Sequence, residues 1–318
     1  MAEPLISVVM SVFNNAAFLP RAIDSVLAQT CPEFEFIIID DGSRDGSREI
    51  ITDYAGRDKR IKPISQENSG LVNSLNRGLG KARGEYLARM DGDDICFPHR
   101  FEAQVAALEA RPGLGAVGGD VTLVDRAGLV VGQQVYPRGH QLKERLLCGS
   151  LLCHPCVMLR TGVLRELGGY RPYYAHCEDY DLWLRLSRLA ELDNLPDKLL
   201  YYRTHDGSVT ARYKLVQVLG TLIAQGAYLV SLRTGRDITP QLPPVSPGAL
   251  EGLPLSAEER EGLYLRLLPR YFQACWQTGK DPRADQFALR CLAWLMPRLK
   301  TAHGRDMHIF TRALEQPL

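Results

Sequence analysis

The sequence predicts an α/β protein in which helices flank a central, mainly parallel β-sheet, followed by a helical C-terminal extension. In the first half, short apolar runs alternate with helical patterns, as in sheets covered on both faces. Further along, residues 239–254 contain five prolines and precede a Leu-rich segment dotted with arginines. We therefore predict an α/β domain over residues 1–211 and a helical extension over residues 212–318.

The predicted elements follow one another in a regular order. Strands are predicted at residues 6–13, 34–40, 61–64, 86–90, 116–124 and 156–159, and helices at residues 20–29, 47–54, 71–81, 99–110 and 180–189. In sheets of this kind, ligands bind beyond the carboxyl ends of the strands. The polar residues that follow the strands are therefore the candidate site residues.

The composition narrows the class of protein. The chain has 318 residues, 45% of them hydrophobic, and a net charge of +1 without a basic run typical of nucleic-acid binding. No secretory signal pattern opens it, so we expect a cytoplasmic protein. After residue 211 there are 14 Lys and Arg against 9 Asp and Glu. With the apolar helix predicted at residues 215–232, this excess suits peripheral contact with the inner face of a membrane, or a solvated helical face.

The eight cysteines are spaced unevenly, which in a chain of this size indicates reduced, mostly packed thiols. One cluster also suits zinc. It comprises Cys148, Cys153, His154 and Cys156, and it lacks a second ligand pair unless His176 or Cys177 folds back. We favour packed thiols over a zinc site for this cluster.

Two carboxylates end the second predicted strand. Asp40 and Asp41 follow an apolar run and precede Gly42, which places them at a turn. A carboxylate there can accept the imino hydrogen of a pyrimidine base. Acidic residues at strand ends are also ordinary turn formers.

Three carboxylates follow the fourth predicted strand. Asp91, Asp93 and Asp94 surround Gly92, which permits a tight turn. Clustered carboxylate oxygens suit Mg²⁺ or Mn²⁺, and such an ion neutralises the charge that develops on a departing diphosphate. Without a cation the three charges repel one another, so we favour a metal site over a solvated acidic loop.

Two further segments carry candidate groups. Glu178 and Asp179 precede a predicted helix, where a carboxylate can take the proton of an acceptor hydroxyl or simply cap the helix. Arg203 and His205 lie at an apparent strand end that is rich in hydrogen-bond donors and suits a diphosphate.

Five segments in order resemble glycosyltransferase family 2, whose members adopt the GT-A fold. They are ISVVMSVFNNAAFLPRAIDSVLAQT, FEFIIIDDGSRDGS, NSGLVNSLNRGLGKARGEYLARMDGDD, HPCVMLR and CEDYDLWLRL. The resemblance covers roughly residues 5–210. It implies that the chain transfers a sugar from a nucleotide-diphosphate donor, commonly a uridine nucleotide, with inversion at the anomeric carbon.

The resemblance also implies roles for individual residues. It places Ser11 and Val12 against the nucleoside, Asp41 on the base, Asp91 and Asp93 on the metal and the donor diphosphate with Asp94 beside them, Asp179 as the catalytic base with Glu178 next to it, and Arg203 and His205 on phosphate. By analogy, the expected acceptor is a cell-surface polysaccharide, a glycolipid or a glycoprotein.

Three alternatives stay open at this point. A sugar-nucleotide nucleotidyltransferase needs a Gly-rich phosphate loop, which the sequence after the first strand does not supply. A phosphoacceptor receiver module would leave Asp91 and Asp179 unexplained. A catalytically silent nucleotide-sugar-binding protein would keep the pocket without turnover.

Overall fold

The computed structural model describes residues 3–204 and 213–299 of the chain. These residues divide between two compact units. The first unit comprises Met1–Pro172 and Arg185–His205, and the second comprises Tyr173–Leu184 and Asp206–Leu318. The domain boundary predicted after residue 211 falls outside the described residues and stays a prediction. The sequence did not indicate that Tyr173–Leu184 belongs with the second unit.

A nine-stranded sheet forms the first unit. Its strands are β1 (Ile6–Val12), β2 (Phe34–Asp40), β3 (Ile61–Ser65), β4 (Tyr86–Asp91), β5 (Ile95–Cys96), β6 (Leu114–Val124), β7 (Val130–Gln134), β8 (Met158–Arg160) and β9 (Glu191–Arg203). The strand order is β3-β2-β1-β4-β8-β6-β9-β5, and β7 pairs with β6.

The sheet is mixed. Parallel pairs join β1 to β2 and β4, β2 to β3, and β6 to β9. Antiparallel pairs join β8 to β4 and β6, β5 to β9, and β7 to β6. The α/β sheet flanked by helices is therefore as predicted, but only its first four strands form the expected parallel arrangement, and the later strands add the antiparallel half.

Six helices belong wholly to the first unit. They are α1 (Leu19–Leu27), α2 (Ser47–Arg57), α3 (Leu71–Lys81), α4 (Arg100–Ala110), α5 (Gly139–Arg145) and α6 (Thr161–Glu166). In α1 the buried residues recur at helical spacing, as Leu19, Ala22, Ile23 and Val26. Strand β2 is buried along its whole length, which is typical of a strand covered on both faces. The core of this unit forms between these helices and the sheet.

Helices build the second unit. Helix α7 (Glu178–Leu186) leads from the second unit into the first, and α8 (Lys214–Thr234), α9 (Pro247–Glu251), α10 (Ala257–Gln277) and α11 (Gln286–Leu299) follow. Ser256 and Glu259 form a reciprocal capping box that fixes the start of α10. The predicted helical extension is thus present in the described residues.

Helix α8 is the predicted apolar helix. By length and composition it is able to cross a membrane, with a mean hydropathy of 1.6 over its most apolar window. Of that window, 56% is buried in the structure, as is usual for a core helix of a folded unit. A Cβ added at Gly220 would lie 2.3 Å from Cys177 Sγ, which is too close for a side chain. Helix α8 therefore packs closely against the residue that precedes α7.

Candidate active site

The carboxyl ends of β1, β2 and β4 meet at one edge of the sheet. In the register, Val12 lies beside Asp40, and Ser11 lies between Ile39 and Asp91. The backbone N–H of Asp41 donates to Val12 O at 2.8 Å. The structure thus brings together four residues predicted to bind the nucleotide, namely Ser11, Val12, Asp41 and Asp91.

The loops that follow β1 and β2 are bound to each other. The N–H of Asn14 donates to Ser43 Oγ at 3.0 Å, and the N–H of Arg44 donates back to Asn14 Oδ1 at 2.8 Å. Asn14 has φ of +54°, a left-handed conformation that asparagine tolerates better than most residues. The sequence interpretation missed this pair because the residues are 29 positions apart. Its only signal was a polar Asn after an apolar strand.

Asp41 lies under the site edge, with only 2% of the residue exposed. Its carboxylate accepts from Gln66 Nε2 at 2.7 Å and from the backbone N–H groups of Ser69 and Gly70 at 2.9 Å. The next residue, Gly42, has φ of +80°, and a Cβ there would lie 2.8 Å from Asn68 N. Asp41 therefore anchors the start of α3, and its predicted contact with the base stays a prediction.

The three carboxylates after β4 converge. Asp91, Asp93 and Asp94 each offer an oxygen within 4.8 Å of the others. Asp94 is 1% exposed, and its Oδ1 accepts from the N–H of Arg203 at 2.8 Å. Its Oδ2 is buried and has no hydrogen-bond partner in the described structure. A buried carboxylate oxygen without a donor, beside two more carboxylates, is the environment that a hard divalent cation fits.

The charge balance of the cluster agrees with this assignment. Burial raises the pKa of Asp94 well above its ordinary value, and the charges of Asp93 and Asp91 raise it further, against the lowering effect of the Arg203 N–H. Asp91 forms an ion pair with Arg89, which is itself only 3% exposed. A bound divalent ion would add positive charge to this group of three carboxylates.

Arg203 joins the acidic cluster to the turn after β6. Only 4% of the residue is exposed, and its guanidinium lies 4.7 Å from the centre of the Phe18 ring. It donates from Nε to Asp93 O at 2.9 Å and from one Nη to Asp125 O at 2.8 Å and Arg126 O at 3.2 Å. Arg203 therefore holds the loop that carries Asp93 and Asp94 in place, whereas its predicted diphosphate contact stays a prediction. His205 lies outside the described residues.

Glu178 and Asp179 belong to the second unit. They form the first turn of α7 with Asp181, so the helix begins two residues earlier than predicted and includes both. Glu178 and Asp181 are each 4% exposed, and Asp179 is half-buried. The positive end of a helix dipole favours negative charge at such positions.

The residue before this turn is conformationally unusual. Among the residues described, only Asn14 and His176 combine a side chain with positive φ, and that of His176 is +73°. The His176 ring stacks on Tyr213 with centroids 3.8 Å apart. Strained backbone of this kind concentrates at functional sites. Both examples flank predicted site residues.

The cysteine cluster does not form a metal site in the described residues, where the three aspartates are the single group with converging ligand atoms. Cys153 and Cys156 are buried, whereas Cys148 is exposed. Burial raises the pKa of Cys156 to about 12, which disfavours the thiolate that zinc requires. All eight cysteines are free, six of them buried, as the sequence predicted.

The geometry above can be set beside known proteins. Residues 7–168 match the family model described as Glycosyl transferase family 2, which covers half of the chain. The chain belongs to this family. The matched range includes the nucleotide edge and all three converging aspartates.

Family relatives match over a similar extent. An uncharacterized glycosyltransferase of Haemophilus influenzae is 35% identical over 223 residues, which cover 66% of this chain and 68% of the relative. The O-antigen biosynthesis glycosyltransferase WbnJ of Escherichia coli is 33% identical over 210 residues, covering 64% of this chain and 81% of the relative. The chain is thus a glycosyltransferase of family 2, as the sequence resemblance implied.

Solved structures share the fold. Staphylococcus aureus TarS residues 1–349 in complex with UDP-GlcNAc give a TM-score of 0.57 at 17% identity, over 96% of this chain and 91% of that one. The mannosyltransferase PcManGT from Pyrobaculum calidifontis, in complex with GDP-Man and Mn²⁺, gives 0.56 at 17% identity, over 99% and 85%. The predicted GT-A fold is confirmed.

Proposed function

We propose that this glycosyltransferase is metal-dependent and inverting, and that it moves a sugar from a nucleoside-diphosphate donor to a hydroxyl of a saccharide, glycolipid or glycoprotein. The observation that carries the proposal is the convergence of Asp91, Asp93 and Asp94 at the sheet edge, with the buried Asp94 oxygen that no donor contacts. The Mn²⁺ and GDP-Man in the PcManGT structure support it.

The nucleoside of the donor belongs, in this proposal, at the edge formed by the carboxyl ends of β1 and β4. Ser11 and Val12 line the edge beside Asp91, so a nucleoside placed there directs its diphosphate toward the acidic cluster. We propose a uridine nucleotide, in agreement with the UDP-GlcNAc bound to TarS. The name of the Escherichia coli relative supports an acceptor in cell-surface polysaccharide synthesis.

The chemistry divides between the two sets of carboxylates. Asp91, Asp93 and Asp94 would hold Mn²⁺ or Mg²⁺, which supplies positive charge to the departing diphosphate. Asp179 accepts the proton of the acceptor hydroxyl as that oxygen forms its bond to the anomeric carbon. The bond to the diphosphate breaks with its electron pair on the diphosphate. A single displacement of this kind inverts the configuration, so an α-linked donor gives a β-linked product.

Calorimetric titration with UDP and GDP, with and without Mn²⁺, tests the donor site. We expect Mn²⁺-dependent binding of UDP that Asp93→Asn weakens at least about tenfold, because the variant removes one charged metal ligand. Asp53→Asn is the matched control, since Asp53 lies on the exposed face of α2 and pairs with Arg57. Equal binding by wild type and Asp93→Asn contradicts the metal assignment. If neither nucleotide binds, the proposed donor site is contradicted as well.

A second variant separates catalysis from silent binding. Asp179→Asn removes the base and keeps the shape, so we expect turnover to fall about 10²-fold to 10⁴-fold with UDP binding unchanged. Turnover, by hydrolysis or by transfer of the sugar, is measured as the release of UDP. Undiminished turnover in the variant would assign the base elsewhere, and absence of turnover in the wild type with every acceptor class would favour the silent binding protein.

A further inference from the structure

The hairpin formed by β6 and β7 carries a group of exposed apolar side chains that the proposed function does not use. Leu129, Val130, Val131 and Val135 are 59–67% exposed. We call these four residues the apolar tip. The pairing of β7 with β6 shifts register within the tip, because Val124 lies opposite Val130 and Leu123 lies opposite Gly132, which leaves Val131 as the extra residue of a bulge.

The hairpin turn is well fixed. The N–H of Leu129 donates to Asp125 Oδ1 at 2.9 Å, the N–H of Asp125 donates to Leu129 O at 2.9 Å, and Gly128 supplies the left-handed residue with φ of +91°. At the start of the turn, Arg203 donates to the carbonyl oxygens of Asp125 and Arg126. The apolar tip is therefore presented by a preorganised turn.

Cations flank the apolar tip. Residues 125–148 contain four Lys and Arg and two acidic residues. The four are Arg126, Arg138, Lys143 and Arg145. Arg138 pairs with Asp120, whereas Arg126, Lys143 and Arg145 are exposed. Arg138 and Arg145 also line a cavity of about 460 Å³ together with Val135, Tyr136, Pro137, His140 and Gln141.

We propose that this hairpin is a docking element for an anionic lipid surface, with the apolar tip inserted among the acyl chains and the flanking cations at the phosphate headgroups. Apolar side chains beside exposed Arg and Lys are the combination that binds the interface of anionic membranes. Pairing of the β7 edge with another strand would satisfy its backbone but would supply no anionic groups for the exposed Arg126, Lys143 and Arg145. An anionic lipid surface supplies acyl chains for the apolar tip and phosphate groups for the cations.

The hairpin that carries the apolar tip is joined to the loop of the three aspartates through Arg203. Arg203 contacts Asp93 on one side and the carbonyl groups of the hairpin turn on the other. Docking at the tip would therefore hold the donor cluster close to the membrane surface. The proposal does not depend on the proposed function, because its test measures binding alone.

The experiment is sedimentation of the full chain with vesicles of phosphatidylcholine alone, or of equal parts of phosphatidylcholine and phosphatidylglycerol. We expect binding to the anionic vesicles, reduced at least about tenfold by the triple change Val130→Thr, Val131→Thr and Val135→Thr. Threonine keeps the branched shape that suits a strand. We expect Arg145→Glu to weaken binding about fivefold or more through charge.

The matched control addresses the other apolar surface. The double variant Val216→Thr, Leu232→Thr changes residues of α8 that are 40% and 54% exposed. We expect it to bind vesicles as the wild type does. Circular dichroism checks that each variant is folded.

Three results would overturn the proposal. The first is no vesicle binding by the wild type, or equal binding to neutral and anionic vesicles. The second is a loss confined to the α8 double variant. The third is self-association without vesicle binding, abolished by the triple change, which would identify the β7 edge as a contact between copies of the chain.

Discussion

At the scale of single residues, Arg203 shows how one side chain organises the acidic cluster. Its N–H fixes Asp94, and its guanidinium binds carbonyl oxygens of Asp93, Asp125 and Arg126. Sequence reasoning assigned Arg203 to phosphate because donors at a strand end suit an anion. In the structure, Nε and one Nη donate to backbone carbonyl oxygens, so Arg203 positions the loop that carries Asp93 and Asp94, and its contact with phosphate stays a prediction.

The positioning role predicts the effect of Arg203→Lys. Lysine keeps the charge, but its ammonium lacks the planar fork that reaches several carbonyl groups at once. We expect Mn²⁺ affinity without nucleotide to fall about tenfold or more, as for other residues that support metal ligands. Electron paramagnetic resonance measures this affinity, because it reports the concentration of free Mn²⁺ in the presence of the protein.

Exposed Arg126 provides the control, since Arg126→Lys leaves its backbone carbonyl in place. If Arg203 acted only on the donor diphosphate, Arg203→Lys would leave Mn²⁺ affinity unchanged and weaken UDP binding alone. That result would support the phosphate contact predicted from the sequence and contradict the positioning role.

At the scale of elements, the packing of α3 on β1 depends on a glycine. A Cβ at Gly78 would lie 2.4 Å from Val9 Cγ1, and Val9 is buried in the middle of β1. The helix can therefore approach the sheet only where the side chain is absent. Gly80, two residues later in the same helix, has no atom within 4 Å of its Cβ position.

This contrast gives a matched pair of substitutions. We expect Gly78→Ala to lower the free energy of unfolding by about 1–3 kcal/mol through overpacking. Gly80→Ala should raise it by up to about 1 kcal/mol, because alanine favours helix and meets no neighbour. Urea denaturation compares the two. A similar stabilisation by both variants would show that α3 can move away from β1 without cost.

The elements of the first half were predictable from sequence because they are locally consistent. Strand β2 and helix α3 have the predicted limits, since a continuous apolar run and an amphipathic repeat each favour one structure. Strand β9 was missed apart from its end. It contains Pro196 and a run of exposed residues, and its pairing with β6 has three register shifts. Its conformation follows from its partner, which no local pattern reveals.

The site was predictable to the same degree. The three aspartates after β4 stood out because carboxylates that are crowded at the end of a buried strand repel one another unless a cation is bound. Asn14, Ser43 and Gln66 were missed, because each matters through a loop that is distant in sequence. Equally, only the fold distinguishes the buried Asp94 from its more exposed neighbours.

At the scale of the whole molecule, the chain passes between its two units three times, after Pro172, after Leu184 and after His205. The segment that carries Asp179 consequently packs with residues that follow it by many positions. Tyr180 OH accepts from Gln225 Nε2 at 3.0 Å, and Tyr174 OH lies 3.2 Å from Thr239 Oγ1. The helical extension is thus a structural partner of residues 173–184, which carry Asp179, the proposed catalytic base.

A chain that ends at residue 211 tests this dependence. We expect it to lose turnover, because Tyr173–Leu184 loses its packing partners in the second unit, while the nucleotide edge in the first unit still binds UDP with Mn²⁺. Calorimetry and UDP release measure the two properties separately. A chain that ends at residue 299 is the control and should keep both. Full turnover by the shorter chain would show that the base-bearing segment folds without the extension.

Because residues 173–184 pack with the C-terminal extension, segments of this chain cannot be exchanged independently with those of a relative. A recombination event or an engineered chimera that replaces everything after residue 205 would pair a new extension with a foreign segment 173–184. Such a hybrid would carry mismatched contacts in the segment that contains Asp179, even if both parents were active. A functional exchange must therefore replace the short inner segment together with the distant C-terminal one, which takes two coordinated replacements rather than one.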